Sequence, residues 1–387
     1  MARGTVPGHW RASLGRVRGK IFALMDRLIG RLCFVSPRRG VAIMMPHGLG
    51  DLIIFTAAYR HLEAHYAGRP LLLICSAACV GYAEAYLGPH HIIVLHRTRF
   101  RRDPWYRIRI VRAMARAGIS VIIQPARNRE HMVEDALVSA SGAVERIGAA
   151  GTPFFISDAE RAVGDRAYTK LYDERSCTPH DAEYYAAFVT WITGRRPSRM
   201  IAPLMRPPRP RDAPDGDYLV IASEASSIVK AWPVERFLVA AATISTLNGL
   251  MIVLAGQNRQ DKTSSAAAVL DLRGSSDIRG LTALLAHARL VLCNDSGPAH
   301  LAAVLGVPVV AVGNGGMPGR YLPYPANEPG IFGPHLVLPD PPLPCFGCGW
   351  RCKYLPLEAE PVPCIAEVTI AAVVTAALSI QPAHQDN

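Results

Sequence analysis

The segment Arg289–Val312, RLVLCNDSGPAHLAAVLGVPVVAV, places a tight loop and a short helix between two apolar runs. The pattern predicts strand, loop, helix and strand, which is one unit of a parallel α/β sheet. The loop consists of Asp295, Ser296, Gly297 and Pro298. Backbone N–H groups and the positive dipole end converge where such a helix begins, so the loop favours phosphate or pyrophosphate, and His300 in the first turn could donate to the same ligand. The alternative is that Asp295 or Ser296 only caps the helix.

The whole chain has 387 residues, half of them hydrophobic, which is enough for two domains with separate cores. It contains no run of about 18 apolar residues and no secretory signal pattern, which predicts a cytoplasmic protein. Its nine cysteines are scattered apart from one late cluster, unlike the disulfide framework of a small secreted domain.

A basic leader, residues 1–39, holds nine Lys or Arg and one Asp, so most of the net charge of +11 lies there. Apolar residues recur at helical spacing between the basic ones. This indicates an amphipathic helix on the inner face of the cytoplasmic membrane, and thus a peripheral protein. The alternatives are a solvated basic tail, a helix packed on the protein body, and an organelle transit peptide.

Strands alternate with helices on both sides of a Pro- and Arg-rich stretch. The predicted strands are Val41–Met45, Leu71–Ile74, Ile92–Leu95 and Val121–Ile123 before it, and Tyr218–Ala222, Met251–Ala255, Leu290–Cys293 and Val309–Val312 after it. The sequence therefore predicts two doubly wound α/β domains, 40–203 and 217–387, joined by a linker at 204–216. Ligands of such sheets bind at the carboxyl ends of the strands.

A second glycine-containing loop follows the first predicted strand. Asp51 comes directly after Gly48-Leu49-Gly50, at the start of a helix, where small residues let a substrate approach the backbone. Its carboxylate is either an N-cap for the helix or a general base for an acceptor hydroxyl. The chain has no GxGxxG motif, so a nicotinamide cofactor is not indicated.

Two further loops after predicted strands in the C-terminal half bear polar groups. Lys230, with Ser226 four residues before it, could neutralise a diphosphate, and the alternative is a surface lysine beside a packed Trp232. Gln260, after the next strand, could meet a nucleotide ribose or base.

The late cysteines have the spacing Cys345-x2-Cys348-x3-Cys352-x11-Cys364. Four thiols this close suit a structural zinc or iron site in a reducing compartment. Free thiols or a redox pair are the alternatives. The pattern gives no open coordination position that would indicate a catalytic metal.

A basic run in the N-terminal half forms a predicted cationic patch, and its members are Arg97, Arg99, Arg101, Arg102, Arg107, Arg109, Arg112 and Arg116. No nucleic-acid-binding motif accompanies it. A phosphorylated glycolipid or the inner-leaflet surface fits the charge, because arginine forks pair with phosphate oxygens. A solvated helix face is the alternative.

Four of these features together resemble the family 9 glycosyltransferases, which include the lipopolysaccharide heptosyltransferases. They are Gly48-Leu49-Gly50-Asp51, Lys230-Ala231-Trp232-Pro233, the DSGPAHLAA segment from Asp295 to Ala303, and the late cysteines. The resemblance implies a GT-B fold, with two Rossmann-like domains facing across a cleft. The acceptor would bind on the N-terminal side, at Gly48, Gly50 and the first arginines of the patch, and the nucleotide sugar on the C-terminal side.

The resemblance also implies roles for individual residues. Asp51 corresponds to the base of an inverting transfer, Lys230, Ser226 and the helix near Pro298 to the diphosphate site, and Asp295 to the donor-sugar contact. No metal is required by this scheme. We expect heptose from ADP-heptose to be transferred to a lipopolysaccharide-core or related cell-surface glycan. The alternatives are another nucleotide sugar with an exopolysaccharide or protein acceptor, a GT-B epimerase, and a non-catalytic sugar-nucleotide-binding membrane scaffold.

Overall fold

The computed structural model describes residues 22, 25, 26, 28, 29, 38–152, 156–173, 180–257, 269–325, 328–354 and 361–380. The chain divides into two compact units. Unit 1 comprises Met1–His47, Leu62–Glu84 and Gly88–Cys177, and unit 2 comprises Gly48–His61, Ala85–Leu87 and Thr178–Asn387. The predicted linker at 204–216 does not separate them, because residues before it already belong to unit 2.

Unit 1 contains a six-stranded parallel sheet in the order β3-β2-β1-β4-β5-β6. Its strands are β1 Gly40–Met45, β2 Leu71–Cys75, β3 His91–Val94, β4 Ile119–Gln124, β5 Glu145–Ala149 and β6 Lys170–Tyr172. The central strands β1 and β2 are buried along their whole length. Continuous apolar strands of this kind belong in a parallel sheet that is covered on both faces.

The helices in the first part of the chain are α1 Leu49–His65, α2 Val80–Tyr82, α3 Arg97–Arg102, α4 Pro104–Arg116, α5 Ala136–Ala140 and α6 Asp158–Gly164. Helix α4 begins at Pro104 because the Asp103 side chain accepts a hydrogen bond from Tyr106 N. Between β2 and β3, residues 77–87 combine a 3-10 turn, the short α2 and a π turn.

Unit 2 contains a second six-stranded parallel sheet, in the order β12-β11-β10-β7-β8-β9. Its strands are β7 Tyr218–Ala222, β8 Met251–Leu254, β9 Val269–Asp271, β10 Leu290–Asn294, β11 Val309–Val312 and β12 His335–Val337. Its helices, besides the first part of α1, are α7 Asp181–Thr193, α8 Val234–Asn248, α9 Ile278–Ala286, α10 Gly297–Val304, α11 Pro363–Ala366 and α12 Ile370–Ser379.

Both sheets have the same topology. If the strands of unit 2 are numbered from β7 as the first strand, their order read from β9 to β12 is the same as the order of the strands in unit 1. In each, the strand order changes direction next to the first strand, at β1/β4 and at β7/β10. Loops at such a switch point form the ligand sites of doubly wound sheets. The prediction of two Rossmann-like doubly wound domains is thus confirmed. Of the predicted donor residues, Ser226 and Lys230 follow β7, and Asp295, Ser296, Gly297 and His300 follow β10.

Candidate active site

Asp51 lies in the first turn of α1, in the part of that helix that belongs to unit 2. Its Oδ2 accepts a hydrogen bond from Gly48 N at 3.1 Å. Burial, and then repulsion from Asp181, raise the pKa of Asp51 to about 6, although Arg320, Lys230 and the Gly48 bond act in the opposite direction. A carboxylate with this pKa is about 90% ionised at pH 7 and is a stronger base than an ordinary aspartate.

A buried ion pair accompanies this carboxylate, and the sequence did not reveal it. Asp181 begins α7 and pairs with Arg320, whose Nε lies 3.1 Å from Asp181 Oδ1. The Asp181 backbone N–H also donates to the Arg320 carbonyl at 2.8 Å. Both side chains are buried. An acid in the first turn of a helix is common and carries no specificity, so Asp181 could not be singled out from the sequence.

Helices α1 and α10 approach each other through a glycine on each side. A Cβ on Gly50 would lie 2.5 Å from Cδ2 of His300, and a Cβ on Gly297 would lie 3.0 Å from a methyl carbon of Leu49. Real Cβ atoms do not tolerate the first distance, so Gly50 is needed for this contact. The structure therefore brings the predicted base and the predicted phosphate loop together within unit 2.

The loop after β10 is not explained by capping alone. Ser296 is the N-cap of α10, but its hydroxyl donates to the Asn294 carbonyl at 3.2 Å and makes no cap hydrogen bond to the helix. Asp295 instead pairs with Lys230, whose Nζ lies 3.1 Å from Asp295 Oδ2. The helix begins at Gly297, one residue before the predicted start at Pro298. Its first backbone donor is not taken by the Ser296 side chain, which favours the anion-site interpretation of this loop.

Asn294 ties the loops after β7 and β10 together. Its Oδ1 accepts from Trp232 N at 3.0 Å, and its Nδ2 donates to the Ser223 carbonyl at 2.6 Å. These bonds fix the segment that holds Lys230 beside the segment that holds Asp295. The alternative interpretation was a surface lysine beside a packed Trp232. Trp232 is buried, but the Lys230 side chain is only 16% exposed and is paired with Asp295.

His300 is buried in the first turn of α10, where its Nδ1 lies 2.8 Å from the Tyr324 hydroxyl. Burial lowers the pKa of His300 to about 4, so the imidazole is neutral at pH 7. A neutral imidazole has one N–H donor and one acceptor nitrogen, and the Tyr324 hydroxyl can pair with Nδ1 in either role.

The remaining predicted donor residues are less constrained. Ser226 is exposed in the loop between β7 and α8. Gln260 lies outside the described residues. In the same region Glu224, which the sequence did not single out, accepts from Gln257 N at 2.9 Å and stands over Gly256.

The predicted acceptor arginines lie on α3 in unit 1 and are largely paired with acids. Arg97 bridges Glu130 and Glu134, and Arg101 also pairs with Glu130, at 2.7 Å. Burial raises the pKa of Glu134 to about 7. The other two arginines are partly or fully exposed: Arg99 pairs with Asp103, and Arg102 is exposed.

Arg107 was assigned to the cationic patch, and that assignment is wrong. Its side chain is buried and pairs with Asp26 of the leader, with Nε 2.8 Å from Asp26 Oδ1. The guanidinium also packs on the rings of Phe22 and Phe100. At Phe22 and Asp26 the leader thus packs on unit 1, as one alternative held, while residues 1–21 lie outside the described residues.

None of the described helices is long and apolar enough to span a membrane.

The four late cysteines line one cavity of about 240 Å³ in unit 2 and are all unbridged. Burial, with a smaller contribution from the other three thiols, raises the pKa of Cys364. In the parts of the chain that the structure describes, no three His, Cys, Asp or Glu side chains are placed as a ligand group for a metal. The structural metal stays a prediction.

Comparisons with known proteins agree with this architecture. Residues 204–336 match the family model of glycosyltransferase family 9 (heptosyltransferase). Among curated protein sequences, none matches the chain. A glycosyl transferase family 9 structure from Veillonella parvula is 17% identical, covers 89% of this chain and 98% of its own, and has a TM-score of 0.66.

Two further solved structures share the fold. The E. coli heptosyltransferase WaaC with ADP-2-deoxy-2-fluoro heptose is 15% identical, with 87% of this chain and 98% of that chain covered and a TM-score of 0.58. The iron-containing dodecameric glycosyltransferase TibC from enterotoxigenic E. coli is 14% identical, with 89% and 76% covered and a TM-score of 0.51. These neighbours confirm the predicted GT-B type of fold.

Proposed function

We propose that this glycosyltransferase, whose residues 204–336 form a family 9 region, transfers heptose from ADP-heptose to a lipopolysaccharide-core or related cell-surface glycan. The transfer would be inverting, with Asp51 as the general base. The observation that supports it most is the packing of the Asp51 turn against the start of α10, because Asp51 has a raised pKa and we take the start of α10 as the diphosphate site.

The proposed reaction assigns each bond change to a group in unit 2. Asp51 accepts the proton of the acceptor hydroxyl, and the oxygen attacks the anomeric carbon of the donor sugar. The bond from that carbon to the diphosphate oxygen breaks, and ADP leaves with the electron pair. Lys230 and the first backbone donor of α10 stabilise the charge that develops on the diphosphate. Asp295, whose carboxylate pairs with Lys230, would contact the donor sugar, as the resemblance implies.

The donor assignment rests on similarity rather than on a contact. WaaC, which shares the fold, was solved with an ADP-heptose analogue. We extend that ligand class to this chain because its phosphate loop and lysine follow strands β10 and β7, where doubly wound sheets bind nucleotides. The proposed acceptor residues are the ones predicted from the sequence, namely Gly48, Gly50, Arg97, Arg99, Arg101 and Arg102.

We further propose peripheral binding at the inner face of the cytoplasmic membrane, where a lipid-linked acceptor would be met. Trp105, at the start of α4, is 79% exposed, and Arg102 and Arg109, three residues before it and four after it in the chain, are also exposed. Aromatic and basic side chains together suit an anionic lipid surface. Deleting residues 2–21 leaves the Asp26–Arg107 pair intact, so flotation with anionic vesicles would separate the contribution of the leader from that of α4.

The late cysteines remain a proposed structural metal site. Four thiols around one cavity have the donor chemistry of zinc or iron, and such a metal would cross-link the loop without entering the reaction. Elemental analysis of the purified protein, beside the variant Cys345→Ser/Cys348→Ser, tests this. A parent protein without bound metal would end the proposal.

Replacing Asp51 by asparagine tests the proposed function. ADP should bind with unchanged affinity, measured by calorimetry, while transfer from ADP-heptose falls by roughly 100- to 10,000-fold. Products should be identified by mass spectrometry with ADP-heptose offered beside UDP-sugars. Exclusive use of a UDP-sugar would refute the heptosyl assignment, and unchanged turnover would remove Asp51 as the base. Nucleotide binding without any transfer by the wild type would favour the non-catalytic scaffold.

A further inference from the structure

Lys230 has aromatic rings near its ammonium group in addition to its carboxylate partner. Its Nζ lies 4.9 Å from the ring centroid of Trp350 and 5.5 Å from that of Tyr321. Asp295 accepts from the same ammonium through Oδ2 at 3.1 Å and through its carbonyl at 3.4 Å. A lysine ammonium is a compact charge on a flexible stem, so these neighbours decide where it points.

The two rings form a stack next to the lysine. Tyr321 and Trp350 have centroids 5.8 Å apart and planes inclined by 16°. The Arg320 guanidinium lies 4.9 Å from the centroid of the Tyr321 ring and is paired with Asp181. The stack therefore adjoins both the ion pair near Asp51 and the lysine of the phosphate loop.

Trp350 lies between Cys348 and Cys352. We call residues 345–352 the cysteine loop. Two backbone hydrogen bonds dock this loop on the chain after β11: Gly347 N donates to the Gly315 carbonyl at 2.7 Å, and Gly349 N to the Gly316 carbonyl at 2.8 Å.

The docking is close and leaves the indole little freedom. Trp350 has a φ of +60°, a backbone conformation that a bulky residue adopts only where its surroundings enforce it. A Cβ on Gly316 would lie 2.4 Å from the indole Cδ1, so this glycine makes room for the ring. The loop thus fixes the indole position through its backbone rather than through side-chain packing alone.

We propose that Trp350, supported by Tyr321, is a positioning residue that holds the Lys230 ammonium where it meets the diphosphate of the donor nucleotide. The inference rests on the proposed function, since it takes Lys230 as the diphosphate contact. It gives the cysteine loop a part in nucleotide affinity, besides any structural part that its thiols have. A tryptophan face near an ammonium stabilises it through the ring quadrupole, and this attraction is strongest where water is partly excluded.

The test measures ADP binding by calorimetry in single and double variants. Trp350→Leu keeps an apolar side chain but removes the aromatic face, and should weaken ADP binding about five- to tenfold. Trp350→Phe retains a ring and should lie between Leu and wild type. Trp191→Leu, at an exposed tryptophan of α7, is the control and should leave ADP binding unchanged.

The double variant separates a positioning role from a merely structural one. Lys230→Met removes the charge and should weaken ADP binding more than tenfold, as expected for a lost charge-assisted hydrogen bond. If Trp350 acts through the lysine, Trp350→Leu has less than a twofold effect in the Lys230→Met background. The same loss in both backgrounds, or no loss in the wild-type background while Lys230→Met is impaired, overturns this inference and leaves the donor site standing. Unchanged ADP binding in Lys230→Met overturns the proposed donor site itself.

Discussion

Replacing Asp51 by asparagine is expected to stabilise the fold while it removes the proposed base. Burial, and then Asp181, raise the pKa of this carboxyl from 3.8 to about 6. When the pKa of a carboxyl is higher in the folded than in the unfolded state, the free energy of unfolding falls as pH rises, because the ionised carboxylate is less favourable in the folded state. The cost is absent well below pH 3.8, grows between 3.8 and about 6, and is constant above that.

The magnitude follows from the two pKa values. At pH 8 the ionised carboxyl destabilises the folded state by ~3 kcal/mol relative to a neutral group, and at pH 5 by roughly half of that. Asparagine has nearly the same shape and can still accept from Gly48 N, which lies 3.1 Å from Asp51 Oδ2. The free energy of unfolding of the variant should therefore exceed that of wild type by up to ~3 kcal/mol at pH 8. At about 2–4 °C per kcal/mol, this raises the thermal midpoint by several degrees.

The assay compares thermal midpoints and urea unfolding of wild type and Asp51→Asn at pH 5 and pH 8. Asp103→Asn is the matched control, because the Asp103 carboxylate accepts from Tyr106 N and that bond lowers its pKa. The control should lose stability instead of gaining it. A variant that is no more stable than wild type at pH 8, or whose gain does not grow from pH 5 to pH 8, would refute the burial argument.

Three other outcomes can be measured. The rate of transfer should rise with pH through an apparent pKa near 6, since Asp51 must be ionised to act. Asp181→Asn should shift this rise to lower pH because it removes a repulsive charge. A pH-independent rate between pH 5 and 7 would contradict this prediction. Gly50→Ala should weaken ADP binding by roughly tenfold or more, because its methyl group would lie 2.5 Å from the buried imidazole, and calorimetry would detect this. Asp26→Ala should destabilise the protein by roughly 3 kcal/mol, since it leaves the buried Arg107 without its carboxylate, and an unchanged thermal midpoint would show that the leader does not contribute to the fold.

The buried central strands of both sheets were predictable from the sequence because they are short, continuous apolar runs. Tyr218–Ala222 and Val309–Val312 agree with the structure at both ends, and the neighbouring strands agree within two residues. The strands that the sequence analysis missed, β5, β6, β9 and β12, lie toward the sheet edges and include exposed or charged residues such as Glu145 and Lys170. An edge strand needs less apolar surface, so it gives a weaker pattern.

The candidate site was predictable where a loop has a local signature. Gly48 and Gly50 beside Asp51, and the Ser296-Gly297-Pro298 turn before a helix, each indicate a constrained backbone. Both segments lie in the candidate site. The Asp181–Arg320 pair and the Trp350 stack have no such signature, because their members are far apart in the chain and meet only through tertiary packing. Arg107 shows the converse error, since a run of arginines gives no sign that one of them turns inward to meet Asp26.

Helix α1 limits how such an enzyme can be recombined with a relative. A chimera joined at the Pro-rich segment 204–216 would take β1 and all of α1 from one parent and α10 from the other. The first turns of α1 belong to the same compact unit as α10, and Gly50 fits the imidazole of His300 with no room for a methyl group. A junction chosen from the sequence would therefore split a fitted pair between two parents. A chimera that keeps this pair together should take residues 48–61 and 178–203 from the same parent as α10, which requires junctions before residue 48, inside α1 after residue 61, and before residue 178.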